Sequence, residues 1–165
     1  PLAELGWHVI GLDLSWPMLE GARARARGTA AHLLFAQAPM ERLPVADRSV
    51  DLVVAHGIWN LAPTSAVFRA ALAEAARVAA PGATLFLFTF SRHTLADDAR
   101  AVRGEPFVFT QFSGAPQVFL TESQLVEELA LARFVVDGPV AEYNRPPAGV
   151  VAQGPVIYEA VARRI

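Results

Sequence analysis

The sequence holds no cysteine and no lysine. The first absence excludes disulfides, thiolate nucleophiles and cysteine-ligated zinc. The second leaves all 14 basic charges on arginine, which an Arg- and Ala-rich compositional bias explains without a functional reason. Against 16 acidic residues the net charge is −2 and the pI about 6.1, so no broad basic face invites a phosphate backbone and nucleic acid is not an expected partner. No uncharged run reaches the roughly 18 residues of a membrane crossing. The longest apolar stretches, such as Ala83 to Phe90 (ATLFLFTF), have the length of strands. The start of the chain lacks the charged and apolar regions of a secretory signal, which makes cytoplasm the default compartment. The histidines His8, His32, His56 and His93 lack H-x-x-x-H spacing, and neither a G-x-S-x-G elbow nor a G-x-G-x-x-G loop occurs, so no metal is expected.

What is there alternates helix and strand. Pro1 to Gly6 (PLAELG) reads as the last turn of a helix with a glycine cap, directly before a strand from Trp7 to Asp13 (WHVIGLD). Ser15 as N-cap, Pro17 in the first turn and cations toward the end predict a helix through Met18 to Arg27, stopped by Gly28. Leu33 to Ala36 and Val50 to Ala55 read as strands. Phe68, Leu72, Ala75 and Ala79 recur at helical spacing within 64–79 and place one stripe on the core, with Glu74 and Arg77 facing water. Pro81-Gly82 is expected to end that helix before the strand Ala83 to Phe90. Residues 93–117 carry scattered Gly, Pro and aromatics without a period and read as an excursion over the open end of the sheet. Thr121-Glu-Ser-Gln is a capping box ahead of a helix through about Ala132, and 134–137 and 156–162 read as terminal strands. A long connection with no helical period favours an antiparallel pair there. At 165 residues and 53% hydrophobic content, one domain is the economical reading.

Four segments in order carry a resemblance to a known family: Val9-Ile10-Gly11-Leu12-Asp13-Leu14-Ser15 with Met18, Leu19 and Ala22; Met40-Glu41-Arg42-Leu43-Pro44; Asp47 to Val54; and Ala75 to Ala83, ending in Ala80-Pro81-Gly82. The chain resembles class I S-adenosylmethionine-dependent methyltransferases of the small-molecule type over almost its whole length. The resemblance implies a Rossmann-like, doubly wound α/β fold, its mostly parallel sheet carrying an antiparallel C-terminal edge pair. It also implies a chain that opens after the first strand and glycine loop of such a domain. An exposed sheet edge beside the Trp7 to Asp13 strand is then a route to a homodimer.

The same resemblance implies the site. Asp13, where a parallel strand ends, is placed to accept the hydroxyls of a cofactor ribose. Leu14 and Met18 would lie near the adenine. Pro39 stands where the family often holds an acid for the adenine amine and offers no N–H, leaving Met40 as the backbone donor. After the fourth family strand, His56 and Gly57 would line the methionine end, and Trp59 and Asn60 the acceptor. Arg92 would meet an acceptor carboxylate or phosphate, and Phe107 to Phe112 either wall an acceptor pocket or cover the core. Methyl transfer from a sulfonium is an in-line displacement that needs alignment and, for some acceptors, a base. His56 is the first candidate base and His93 the second. Two rival readings stay open: a fragment of an NAD-dependent oxidoreductase, whose ribose an Asp at this position also serves, and a non-catalytic, partner-binding remnant of the methyltransferase shape.

Overall fold

The computed structural model describes residues 2–26, 33–147, 150 and 152–165. They form two compact units, residues 1–45 and 46–165.

In the first unit a single 3-10 turn, Ala3–Leu5, closes on Gly6, whose left-handed φ of 88° lets its N–H reach the Ala3 carbonyl. β1 (Val9–Asp13) then runs parallel to β2 (Leu33–Gln37), with Gly11 opposite Phe35 and Asp13 opposite Gln37. Gly11 is required sterically, since a Cβ there would lie 2.8 Å from the Phe35 ring. Helix α1 (Trp16–Arg25) starts directly after the expected N-cap position Ser15, with Pro17 in its first turn. Its Ser15 N-cap makes no side-chain cap; instead the Ser15 N–H donates to Asp13 Oδ1 at 2.7 Å. The Gly28 stop and His32 lie outside the described residues.

In the second unit β3 (Val50–His56) runs parallel to β4 (Ala79–Phe90), and β4 pairs antiparallel with β9 (Ile157–Arg164). β7 (Phe134–Val136) and β8 (Ala141–Tyr143) flank β9, both antiparallel to it. The sheet order is β3-β4-β9-β7, so parallel pairs and an antiparallel C-terminal edge are both present. Among the described residues β1 pairs only with β2 and β3 only with β4.

Helix α2 (Ser65–Val78) buries Phe68, Leu72 and Ala75, the stripe its 3.6-residue period demands. Arg77, on the opposite side, is paired to Glu74 and Asp47. Pro81-Gly82 does not terminate this helix. The helix ends at Val78, and the dipeptide sits inside β4, where Val50 and Leu52 face Ala79 and Thr84. The extra residues bulge out through the positive φ of Gly82, 81°, because a proline without an N–H fits a bulge better than a ladder.

Within the 93–117 excursion, Thr94, Leu95, Phe107 to Phe109 and Gln117 are buried, while most of the rest is exposed or half-buried. Its strand β5 (Val108–Phe109) pairs with β6 (Gln117–Val118), while Phe107 and Phe119 are buried. Phe107 packs edge-on against Phe68, which in turn meets Trp59. Helix α3 (Glu122–Leu131) begins with both halves of the expected capping box, Gln124 N–H to Thr121 Oγ1 and Thr121 N–H to Gln124 Oε1. The bidentate pair of Arg69 on α2 with Glu128 on α3 links the two helices. No described helix is long and apolar enough to cross a membrane.

Candidate functional site

In the first unit, Asp13 ends β1 half-buried, with Oδ1 engaged by Ser15 N–H. That bond orients the carboxylate, and Oδ2 has no hydrogen-bond partner among the described residues. The neighbouring Gln37 directs its amide nitrogen to the Leu14 carbonyl at 2.8 Å, which holds the carboxyl ends of both strands in place. Leu14 and Met18 are 66% and 58% exposed, so both present apolar surface there instead of filling a core. Ala38 N–H bonds the Asp13 carbonyl, and the Pro39 carbonyl receives Arg42 N–H in a turn that carries Met40.

In the second unit, β3 ends at His56. Its ring lies flat on Phe88, with centroids 4.4 Å apart and planes 9° from parallel, and is exposed on its other face. Gly57 turns the chain with a φ of 67°, and its N–H reaches the Phe88 carbonyl. Asn60 is buried at 2% exposure, and its Oδ1 has no hydrogen-bond partner among the described residues. A buried acceptor left open is costly and marks a position where a ligand donor would be compensated.

Two residues expected to meet the acceptor are engaged within the protein. Trp59 is 5% exposed against Phe68, and its indole is core. Arg92 donates to the carbonyls of Leu95, Ala96, Asp97 and Ala99 while its guanidinium lies 5.0 Å over the Phe109 ring. Its N–H fork is engaged by a cage of carbonyls, which clamps the loop.

His93 is placed differently. It sits in the 3-10 turn Arg92–Thr94 just beyond the end of β4, and its Nδ1 lies 2.7 Å from Oε1 of Glu142 on β8. Ser91 donates to the same oxygen at 2.6 Å, and Arg145 reaches Oε2 at 3.2 Å. Burial alone would push the Glu142 carboxyl up. The Ser91 and His93 bonds, with the charges of His93 and Arg145, outweigh it and hold the group below the usual carboxylate range. Burial raises the nearby Tyr158 phenol. Glu142 is absent from the sequence-based expectations, because a three-residue strand of Ala-Glu-Tyr has no readable period and Glu142 stands 49 residues from His93. Thr94, the next residue, borders an open groove of ≈ 540 Å³ whose other walls include Gln111 and Phe112 of the aromatic segment. The remainder of that segment, Phe107 to Phe109, covers the core.

The fold built by these elements is the Rossmann-like α/β fold of S-adenosylmethionine-dependent methyltransferases. A methyltransferase of Methanosarcina mazei superposes with a TM-score of 0.74 at 22% identity, covering 99% of this chain and 85% of that one. The 1,6-didemethyltoxoflavin N1-methyltransferase of Burkholderia thailandensis, solved with its substrate and S-adenosylhomocysteine, superposes with a TM-score of 0.72 at 18% identity over 96% of this chain and 62% of that one. Residues 1–87 match a family described as a methyltransferase domain, and the chain belongs to that family. Among curated relatives, the ubiquinone/menaquinone biosynthesis C-methyltransferase of Pseudomonas putida is 33% identical over 110 residues, which are 65% of this chain and 41% of that protein. The chain thus spans less than half the length of that relative.

Proposed function

We propose that this chain binds S-adenosylmethionine and transfers its methyl group to a small-molecule acceptor. The observation that carries the reading is Asp13. It is a half-buried carboxylate at the carboxyl end of a parallel strand, inside the segment that matches the methyltransferase family, oriented through one oxygen and open at the other. A carboxylate so placed suits the ribose diol. In the first unit the reading assigns Leu14, Met18, Pro39 and Met40 to the adenosine. In the second it assigns His56 and Gly57 to the methionine end and the open Asn60 oxygen to a ligand donor.

The chain's residues bind and align; the sulfonium, when bound, supplies an activated methyl group. The quinone-pathway and toxoflavin relatives support a small aromatic or heteroaromatic acceptor. The reading treats residues 1–165 as one methyltransferase domain acting in the cytoplasm, and it keeps a homodimer through the open edge of β1 as a further proposal. Light scattering reporting a monomer would remove that last element.

Calorimetric titration of S-adenosylhomocysteine, with NAD as control, tests the reading. Binding of the homocysteine compound but not of NAD is expected. Asp13→Asn should weaken it by about 1–3 kcal/mol, or roughly 5- to 150-fold, the scale of a hydrogen bond to a charged group. Tighter binding of NAD would favour the oxidoreductase alternative, and binding of neither would favour the non-catalytic one.

A further inference from the structure

Of the two histidines at the carboxyl ends of β3 and β4, only one is built as a base. His56 makes no hydrogen bond to a described side chain; its ring is held by stacking alone. His93 is oriented by a carboxylate that is itself held from two other directions. Glu142 Oε1 accepts from Ser91 Oγ at 2.6 Å and lies 2.7 Å from His93 Nδ1, and Oε2 accepts from Arg145 Nη1. Ser91 is fully buried, and its hydroxyl also accepts the His93 backbone N–H at 3.2 Å. Because Oε1 is a pure acceptor, the neutral His93 ring must carry its proton on Nδ1, which leaves the Nε2 lone pair available. Nε2 has no partner among the described residues, and the side chain is 40% exposed. Exposed beyond the end of β4, the ring combines an oriented tautomer with access to solvent.

We propose that His93 is the general base of the acceptor half-reaction, that Glu142 and Ser91 are its positioning residues, and that the acceptors are therefore compounds whose nucleophile is released by losing an O–H or N–H proton. The inference rests on the methyltransferase reading and narrows it. In the step, His93 Nε2 takes the proton from the acceptor O–H or N–H. The electron pair so freed forms the bond to the methyl carbon, directly or through the conjugated ring. The carbon–sulfur bond breaks with its pair going to sulfur, giving S-adenosylhomocysteine, and the imidazolium later returns its proton to water. An acceptor such as a thiolate or an arsenic lone pair, which has no proton to lose, would gain nothing from this arrangement. Glu142 from β8 is the charged group that contacts His93, and Arg145 and Tyr158 act on Glu142 in turn. Arg92 beside His93 is turned into its carbonyl cage.

The test uses the full-length protein and two readouts. Nitrogen-15 NMR of the histidine rings, with His93 assigned by its loss in His93→Gln, reads the tautomer. The wild type should show the neutral ring protonated at Nδ1, and Glu142→Gln should shift it toward the Nε2-protonated form. Transfer of labelled methyl from S-adenosylmethionine to catechol and to dihydroxynaphthalene reads the chemistry. His93→Gln should lower kcat about 100-fold or more, the scale of a positioned acid–base group. It should leave S-adenosylhomocysteine affinity unchanged and abolish the rise of rate with pH. Glu142→Gln should lower kcat by a smaller factor and displace that rise.

Glutamine at 93 retains an amide donor for Glu142, so a merely structural pair would survive the change. A wild-type ring protonated at Nε2, or methylation whose rate and pH profile His93→Gln leaves intact, overturns the base assignment while the methyltransferase reading stands. A wild type that neither binds the cofactor product nor methylates either probe overturns that reading and the base role with it.

Discussion

Removing Arg69 should cost more than removing the residue it pairs with, although the two changes break the same three hydrogen bonds. Arg69 reaches Glu128 through Nε at 2.9 and 3.1 Å and through Nη2 at 2.6 Å. The partners are not equally wet, because the arginine side chain is 51% exposed and the glutamate 7%. In Glu128→Ala the guanidinium swings into water and loses little beyond the net value of its bonds, about 1 kcal/mol. In Arg69→Ala the carboxylate stays between α2 and α3 with no cation. A fully buried orphan of this kind costs roughly 3–5 kcal/mol. Here the departing side chain opens a path for water, and about 2–3 kcal/mol is expected.

Arg69 also lies 5.5 Å over Phe107, so its stem covers part of the aromatic core and adds to the asymmetry. Guanidinium chloride unfolding followed by the fluorescence of buried Trp59 measures both variants, and the double variant closes the cycle. Equal losses, or a larger loss for Glu128→Ala, would refute the claim that the solvation of the partner left behind decides the cost.

Other outcomes follow from single positions. Gly11→Ala drives a Cβ into the Phe35 ring and should destabilise the β1–β2 pair by about 1–3 kcal/mol; hydrogen exchange of the Val9–Asp13 amides should rise, and unchanged protection would contradict the contact. Thr121→Ala removes the cap of α3 and should cost about 1 kcal/mol in denaturant titration. Because the folded Glu142 carboxyl lies below its unfolded value, its contribution is present above the ordinary carboxylate range and lost as pH falls through the folded value. Glu142→Gln should therefore flatten the acid limb of a stability–pH curve, and an unaltered limb would show that the carboxylate is not held by its partners.

The parts of the fold that the sequence made legible are those whose signal is local and repeated. The α2 stripe of Phe68, Leu72 and Ala75 follows from period alone, and the Thr121 capping box from four adjacent residues. Asp13 was visible because a strand end and its polar residue are contiguous. Pro81-Gly82 misled because the pair marks both helix ends and bulges; only the register against Val50 and Leu52 distinguishes them. Trp59 and Arg92 stand at loop positions typical of ligand contacts, yet their fate depends on Phe68, Phe109 and four carbonyls that no spacing brings together. Glu142 is the extreme case: its role exists only because β8 pairs with β9 and returns it to the end of β4.

A crystal structure of the protein with S-adenosylhomocysteine tests the central claim most directly. The account predicts the ribose hydroxyls within hydrogen-bonding distance of the Asp13 carboxylate, with Ser15 N–H still on Oδ1. A nucleoside seated away from Asp13, or crystals that take up no ligand at saturating concentration, would contradict it.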